Sequence, residues 1–372
     1  MNIYEKLGIK TIINASDCYT RIGGSRMDSR VLEAIIEASK YFVDINLLQK
    51  RVGNRIAELT KNEDAFVTSG AAAGMVLSAA ACMTMEYPKL MKLLPNTTSF
   101  PKNEFIIFKS QCLDNNPYWH LVELSGGLVK KIKPSIDILK STINKKTAGI
   151  YYFAGDLYEK NTPPIKEIIG IAKSENIPVI IDAAAQLPPI GNMWYYTNEL
   201  GADLIVFSGG KFIKGPQSTG LILGKRNLIE ACRENSNPNV MIGRPFKVGK
   251  EEIMAMLTAL EIFINSDHSK IKEEFDRTLD YIEKNICSLP NIKIKKIRKS
   301  HHGQEFPLLV IKLPKDKNNL DCFKFFSSGD TPVDIGYYQY GDPTLIYINP
   351  INLARGELDI VISMIKKYFR NS

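Results

Sequence analysis

The stretch Val206-Phe207-Ser208-Gly209-Gly210-Lys211 decides how this chain is read, because a β-rich apolar run ends there in a hydroxyl, two glycines and one lysine. Such an ending is a place for a reactive amine. Upstream, Val179-Ile180-Ile181-Asp182-Ala183-Ala184 is a second buried-strand pattern, and it ends in a single carboxylate. Further back, Val67-Thr68-Ser69-Gly70-Ala71-Ala72-Ala73-Gly74 joins a strand to an Ala-rich helix. Between and around these motifs, strand-like runs alternate with helical stretches: Ala65-Thr68, helix 72 to 85, Phe105-Phe108, helix 134 to 143, Ala148-Phe153, helix 165 to 175, Pro178-Ile181, Leu204-Phe207 and Gly220-Leu223. Nearly all-apolar strands separated by helices imply an α/β fold with a mainly parallel central sheet buried on both faces. Ligands of such sheets sit beyond the carboxyl ends of the strands, where the three motifs fall.

A lysine, a strand-end acid and a helix N-terminus are the three groups that pyridoxal 5'-phosphate (PLP) requires, for its aldehyde, its pyridinium nitrogen and its phosphate respectively. Lys211, at a strand end, is the expected nucleophile toward the aldehyde. The other readings are a surface lysine, or Lys214 as the reactive amine. Asp182 follows three branched apolar residues and is expected to keep the pyridine nitrogen protonated; a helix cap is the alternative. Small residues from Thr68 to Gly74 allow close approach of backbone N–H groups to a phosphate. The chain has neither GxGxxG nor GxxxxGK[ST], so a dinucleotide fingerprint and a P-loop are both lacking.

The chain has 372 residues, 44% hydrophobic and 24% charged, which suits an ordered globular protein with room for two domains. Helical periodicity begins after Asp28, so residues 1–28 are expected to form an arm, 29–245 a large domain and 246–372 a smaller C-terminal α/β domain. That last unit reads as helices Glu251 to Ile264 and Ser269 to Cys287, strands Ile292-Ile297, Leu308-Ile311 and Thr344-Ile348, and a closing helix Gly356 to Phe369. The start of the chain carries no apolar leader, and the Ala/Met stretch from Ala71 to Met85 is too short to span a bilayer. Six scattered cysteines with no CxxC pair, unclustered with the four histidines, argue against a disulfide framework or a metal site and for a reducing cytoplasm. Cys112, in a polar loop, is a lesser candidate nucleophile. The net charge of +8 includes KIKKIR at 293 to 298, whose alternation is that of a half-exposed strand, so an anionic small molecule is favoured over nucleic acid.

Two further loops are rich in anion donors: Tyr19 to Arg26 (YTRIGGSR), containing Arg21, and Gly243 to Lys247 (GRPFK), containing Arg244 and Lys247. Either is otherwise an ordinary surface loop. The segment Asn116-Pro117-Tyr118-Trp119-His120 supplies flat side chains for stacking on a pyridine ring, with His120 the foremost candidate and core packing the alternative.

The ordered set INAS (13 to 16), YTRIGGS (19 to 25), VTSGAAAG (67 to 74), NPYWH (116 to 120), IDAAAQLPP (181 to 189), FSGGKFIKGPQSTG (207 to 220) and GRPFKVGKEE (243 to 252) resembles the selenocysteine-synthase-like branch of fold type I PLP-dependent enzymes, above all its D-glucosaminate-6-phosphate ammonia-lyase group. The resemblance covers nearly the whole chain. It implies an aspartate aminotransferase-like fold, Lys211 as the Schiff-base lysine and Asp182 as the pyridinium partner. It further implies that Ser69, Gly70, Ala71 and Ser208 hold the phosphate, with Gln186 and His120 also at the cofactor and Gln217 arriving from a neighbouring subunit of a homodimer or larger assembly. Arg21, Arg244 and Lys247 would meet the substrate. The implied activity is α,β-elimination from an anionic amino acid or amino-sugar acid such as D-glucosaminate 6-phosphate, with a selenocysteine-synthase-like transfer or a C–S β-lyase or β-replacement reaction as the alternative. Two departures are visible. Bacterial selenocysteine synthases carry an additional tRNA-gripping N-terminal domain, whereas this chain begins almost at the arm. The loop Ser110 to Asn115 (SQCLDN) replaces the basic, His-containing loop of the lyase relatives.

Overall fold

The computed structural model describes residues 2–114, 116–300, 302–337 and 341–370, which fall into two compact units. In chain order the strands are β1 Ile13–Ala15, β2 Asp64–Thr68, β3 Glu104–Phe108, β4 Leu128–Ile132, β5 Thr147–Phe153, β6 Val179–Asp182, β7 Leu204–Ser208, β8 Gly220–Gly224, β9 Lys293–Ile297, β10 Leu308–Lys312, β11 Val333–Tyr337 and β12 Leu345–Ile348.

The larger unit holds residues 27–265 and 302–304 and is built on a seven-stranded sheet, β2-β8-β7-β6-β5-β3-β4. From β7 to β4 the neighbours run parallel, while β8 is antiparallel to both β7 and β2. Every residue of β2, β3, β5 and β8 is buried, as continuous apolar strands covered on both faces must be. The helix Ala71–Thr84 follows from alanine's helix propensity and small size, and its buried face packs with Phe66, Tyr151, Val206 and Ile222. Each large side chain so buried contributes roughly 1.5–3 kcal/mol.

The division of the chain differs from that expected in two places. The helix Lys250–Asn265 belongs to the larger unit, where it packs on Ser29–Ser39 and Ile45–Thr60 and buries Ile253, Met256, Leu260 and Phe263. The first 26 residues belong with the C-terminal part, because β1 pairs in parallel with β11, Ile13 opposite Val333 and Ala15 opposite Ile335.

The smaller unit is a mixed five-stranded sheet, β1-β11-β12-β10-β9, packed with the helices His268–Ile286, Asn319–Ser327 and Leu358–Arg370 around Leu279, Ile311, Phe326, Ile335 and Ile365. Its basic strand β9 is answered by acids. Lys296 pairs with Asp276 at 3.4 Å and with Asp280, and Arg298 pairs with Asp276. No helix among the described residues is long and apolar enough to cross a membrane.

Candidate active site

Four strand termini stand in one row across the larger sheet. Asp182 of β6 is two positions below Ser208 in the register of β7, being paired with Val206; Ser208 lies opposite Gly220 of β8, and Gly220 opposite Thr68 of β2. Strands β2, β6 and β7 run the same way, so Thr68, Asp182 and Ser208 are all carboxyl ends. The loops that follow them converge where an α/β sheet receives its ligand.

Beyond β7 the chain turns sharply: Gly209 donates to the Thr219 carbonyl at 2.8 Å, and Gly215 donates back to the Gly209 carbonyl at 2.9 Å. Lys211 leaves this turn half-buried. Burial pushes the Asp182 carboxyl above its ordinary value of 3.8, while the Ala184 N–H, 2.9 Å from Oδ1, and the charge of Lys211 act in the opposite sense. The two motif residues therefore meet electrostatically. Lys214 has a left-handed backbone, φ 59°, and its charge is a minor influence on Asp28, a carboxyl held down to about 2 chiefly by hydrogen bonds from Arg30.

The loop after β2 enters its helix through Gly70, at φ 90° and ψ 160°, without a side-chain cap. The first intrahelical bond runs from Gly74 N to Gly70 O at 3.2 Å, leaving the N–H groups of residues 71 to 73 ahead of the helical ladder. Gly220 is obligatory beside it, since a Cβ there would stand 2.5 Å from Ala71 N. Ser69, Gly70, Ala71 and Ser208 are all half-buried around this opening. An uncapped helix terminus, a half-buried strand-end acid and an amine whose charge reaches it form a donor set that fits PLP: backbone N–H groups for the phosphate, Asp182 for the ring nitrogen, Lys211 for the aldehyde.

Aromatic residues of two loops flank this row of strand ends or bear on it through charge. The exposed ring of His120 lies against Trp119, centroids 3.7 Å apart, and Lys131 Nζ sits 2.9 Å over the Trp119 ring. Among the described residues, three phenols feel the Asp182 charge: those of Tyr118 and Tyr158, each raised by desolvation first and by Asp182 second, and that of the fully buried Tyr151, where Asp182 is a lesser cause. Asn116 donates to the Tyr158 hydroxyl at 2.9 Å, and the Tyr158 ring is 5.5 Å from that of Phe153, the β5 residue paired with Asp182. Tyr158 escaped the sequence reading, although its place five residues beyond a strand ending in the same row was a usable signal. In the adjoining loop Ser110 bonds Thr162 at 2.7 Å and Gln111 bonds the Phe153 backbone; Asn115 lies outside the described residues.

The remaining candidates are dispersed. Gln186 is buried, and its amide nitrogen donates to the Ala154 carbonyl at 3.2 Å and the His302 carbonyl at 3.0 Å. Gln217 is exposed, on the strand of chain that lies against Gly210. Arg244 and Lys247 are exposed in the larger unit. Arg21 lies in the smaller unit, bonded to Asp334 at 2.6 and 2.8 Å. Cys112 is half-buried, its thiol pushed up by desolvation, the reverse of an activated nucleophile.

This fold and this row of strand ends define the class of fold type I PLP-dependent enzymes, and a profile of the aminotransferase class-V family matches residues 127–306. The D-glucosaminate-6-phosphate ammonia lyase of Salmonella typhimurium is 31% identical over 266 residues, covering 70% of this chain and 69% of that protein. The 5'-C-glycyluridine monooxygenase-decarboxylase of a Streptomyces species is 29% identical, covering 76% and 68%, and the L-seryl-tRNA(Sec) selenium transferase of Aquifex aeolicus 23% identical, covering 79% and 69%. Among solved structures, a D-glucosaminate-6-phosphate ammonia-lyase superimposes with a TM-score of 0.86 at 24% identity over 100% of this chain and 99% of that one. The cysteine desulfurase CsdA of Escherichia coli superimposes at 0.58 with 14% identity over 97% and 95%. The chain belongs to the selenocysteine-synthase-like branch of this class, in the family of D-glucosaminate-6-phosphate ammonia-lyase.

Proposed function

We propose that the protein is a PLP-dependent lyase that eliminates water or ammonia from an anionic amino acid or amino-sugar acid, such as D-glucosaminate 6-phosphate, and leaves a 2-keto acid. The observation that carries this reading is the meeting of Asp182 and Lys211 at adjacent strand ends beside an uncapped helix terminus. When bound, PLP supplies the electron sink for the pair left at the substrate α-carbon. Lys211 would hold the cofactor aldehyde, and its Nζ would take the α-proton. Asp182 keeps a proton on the pyridine nitrogen, and its burial limits competition from water. Ser69, Gly70, Ala71 and Ser208 would bind the phosphate, while Tyr118 and Tyr158 lie within reach of the Asp182 charge. The β-hydroxyl leaves as water, and the released enamine, protonated at its β-carbon to the imine, is hydrolysed by a second water to the keto acid and ammonia.

The substrate's second anionic group is assigned to Arg244 and Lys247, whose cations are exposed. A homodimer or larger assembly, with Gln217 of one copy serving the site of another, accords with the exposure of that side chain. Six free cysteines suit a reducing cytoplasm. The test is incubation of the purified, PLP-loaded protein with phosphorylated and unphosphorylated D- and L-amino acids and amino-sugar acids, following keto acid and ammonia together. Keto acid with one equivalent of ammonia supports the reading. Incorporation of an added thiol or selenide without ammonia release replaces it with β-replacement.

A further inference from the structure

We infer that Gln186 and the tripeptide His302-Gly303-Gln304 form a clamp that positions Asp182 by fixing the loop that follows it, so that Gln186 serves the site through the backbone and not by touching the cofactor. The inference rests on the proposed role of Asp182.

Residues 302–304 fall in the connection between β9 and β10, yet they group with the larger unit, and their polar atoms are bonded to the loop after β6. The Gln186 amide has two hydrogens, and it meets two carbonyls: Ala154 O at 3.2 Å and His302 O at 3.0 Å. Gln304 Nε2 donates to Leu187 O at 2.9 Å, one residue further along the same loop. Asn192 Nδ2 holds the Gln186 carbonyl at 2.7 Å. The loop is thus tied at two consecutive residues by three side-chain amides, two of them, Gln186 and Gln304, only 7% and 4% exposed.

The other end of these ties is Asp182 itself. Ala154 N donates to the Asp182 carbonyl at 2.9 Å, Gln186 N donates to Ala183 O at 2.9 Å, and between them Ala184 N donates to Asp182 Oδ1. The carboxylate oxygen is therefore aimed by an amide that sits inside the clamped segment. Space around the clamp is tight as well. A Cβ at Gly155, where φ is 118°, would lie 2.6 Å from Gln186 Nε2 and 2.8 Å from His302 O. Buried amides cannot give up such bonds to water without leaving unsatisfied polar atoms, so the arrangement holds one orientation of the loop. Both hydrogens of the Gln186 amide are taken by these two carbonyls, so position 186 has no donor to spare for the cofactor.

Hydrogen exchange on the PLP-loaded protein tests the clamp. Gln186→Leu removes both donors at similar volume, and Gln304→Leu cuts the tie at Leu187. Each is expected to speed exchange of the Ala184 amide by about tenfold or more while Ile311 in β10 exchanges as before, and the double variant should gain less than the product of the two. In both variants kcat should fall with KM for substrate changed less than about twofold, because the carboxylate's aim matters more in the transition state than in binding. Weakened PLP binding in Gln186→Leu with wild-type exchange at Ala184 overturns the clamp and makes Gln186 a cofactor ligand. A silent Gln304→Leu overturns it too, and that variant carries the test alone should Gln186→Leu not fold. Full turnover by Asp182→Asn would instead remove the functional reading on which the inference stands.

Discussion

Arg21 grips the carboxylate of Asp334 through both terminal nitrogens, 2.6 and 2.8 Å from the two oxygens, across 313 positions of sequence. The Ser16 hydroxyl donates to the same carboxylate, and the guanidinium lies 5.3 Å from the Tyr19 ring centre and 5.2 Å from that of Phe323. Asp334 is only 3% exposed, and the fork and the Ser16 hydroxyl supply its partners away from water. The side chain that the sequence offered as an anion receptor is thus already answered by an acid, and it fastens the β1 segment to β11.

Arg21→Ala should accordingly act on stability. It leaves a buried carboxylate without its cation, a loss of several kcal/mol in full burial; with the arginine side chain itself 46% exposed, about 2 kcal/mol is the appropriate scale. Denaturant midpoints measured on the smaller unit's transition should fall while PLP content is kept. An unchanged midpoint with a raised KM would place Arg21 on the substrate.

For Asp182→Asn the structure predicts opposite effects on chemistry and on the cofactor-free fold. Turnover should drop on the order of 10²-fold or more, because the amide cannot hold the pyridinium proton. A fall of less than about tenfold, about 1.4 kcal/mol of barrier, would make Asp182 a structural acid. Its carboxyl is raised by burial, so the folded state binds the proton more tightly than the unfolded state, and stability declines as pH rises through and above the ordinary value of 3.8. Asparagine keeps an oxygen for the Ala184 N–H but carries no charge to bury. The cofactor-free variant should therefore be more stable than the parent at neutral pH, with the advantage vanishing toward acid, as urea titrations across that range would show.

How much of this was legible depends on burial. Strands β2, β3 and β5 to β8 were readable because both faces are covered and the runs are uniformly apolar, and the strand-end acid and lysine stood out against them. β4, with Lys130 and Lys131 in an exposed edge, and the three-residue β1 carry no such pattern; β1 is a strand only because β11 lies beside it. The helix Arg226–Asn235 was missed behind its polar residues. At the site, the meeting of Tyr118 and Tyr158 with Asp182 and the bonds from Gln186 to Ala154 and His302 are tertiary facts. Local spacing drew attention to His120 instead.

Lys211 should carry the cofactor. Borohydride reduction of the loaded protein and peptide mapping are expected to find the pyridoxyl group on Lys211, and Lys211→Ala should lose both the yellow colour and the reducible linkage. Labelling at Lys214 would reverse the assignment.

Gly220→Ala probes the phosphate cradle without altering any charged group. The added methyl would press on the Gly70 carbonyl and on Ala71 N, displacing the free N–H groups at the helix terminus. Affinity for PLP should fall by at least about tenfold, since phosphate binding there rests on those N–H groups. Affinity for pyridoxal, which lacks the phosphate, should change little. Equal losses for both ligands would mean that the substitution distorts the ring site and not the cradle.

The substrate's charge is the last expectation. Arg244 and Lys247 are exposed and three residues apart, and two neighbouring cations attract a doubly charged anion more than a singly charged one. A phosphorylated amino-sugar acid should therefore be turned over with a markedly lower KM than its unphosphorylated counterpart. Arg244→Ala should raise KM for the phosphorylated compound with little change in kcat, because a contact remote from the reacting carbon contributes equally to ground and transition states. The preference should weaken as salt is added, as expected for solvent-exposed charges with a screening length of about 8 Å at physiological ionic strength. Equal efficiency on the neutral and phosphorylated compounds, with Arg244 replaceable at no cost, would discard the phosphate and leave a lyase acting on simpler amino acids.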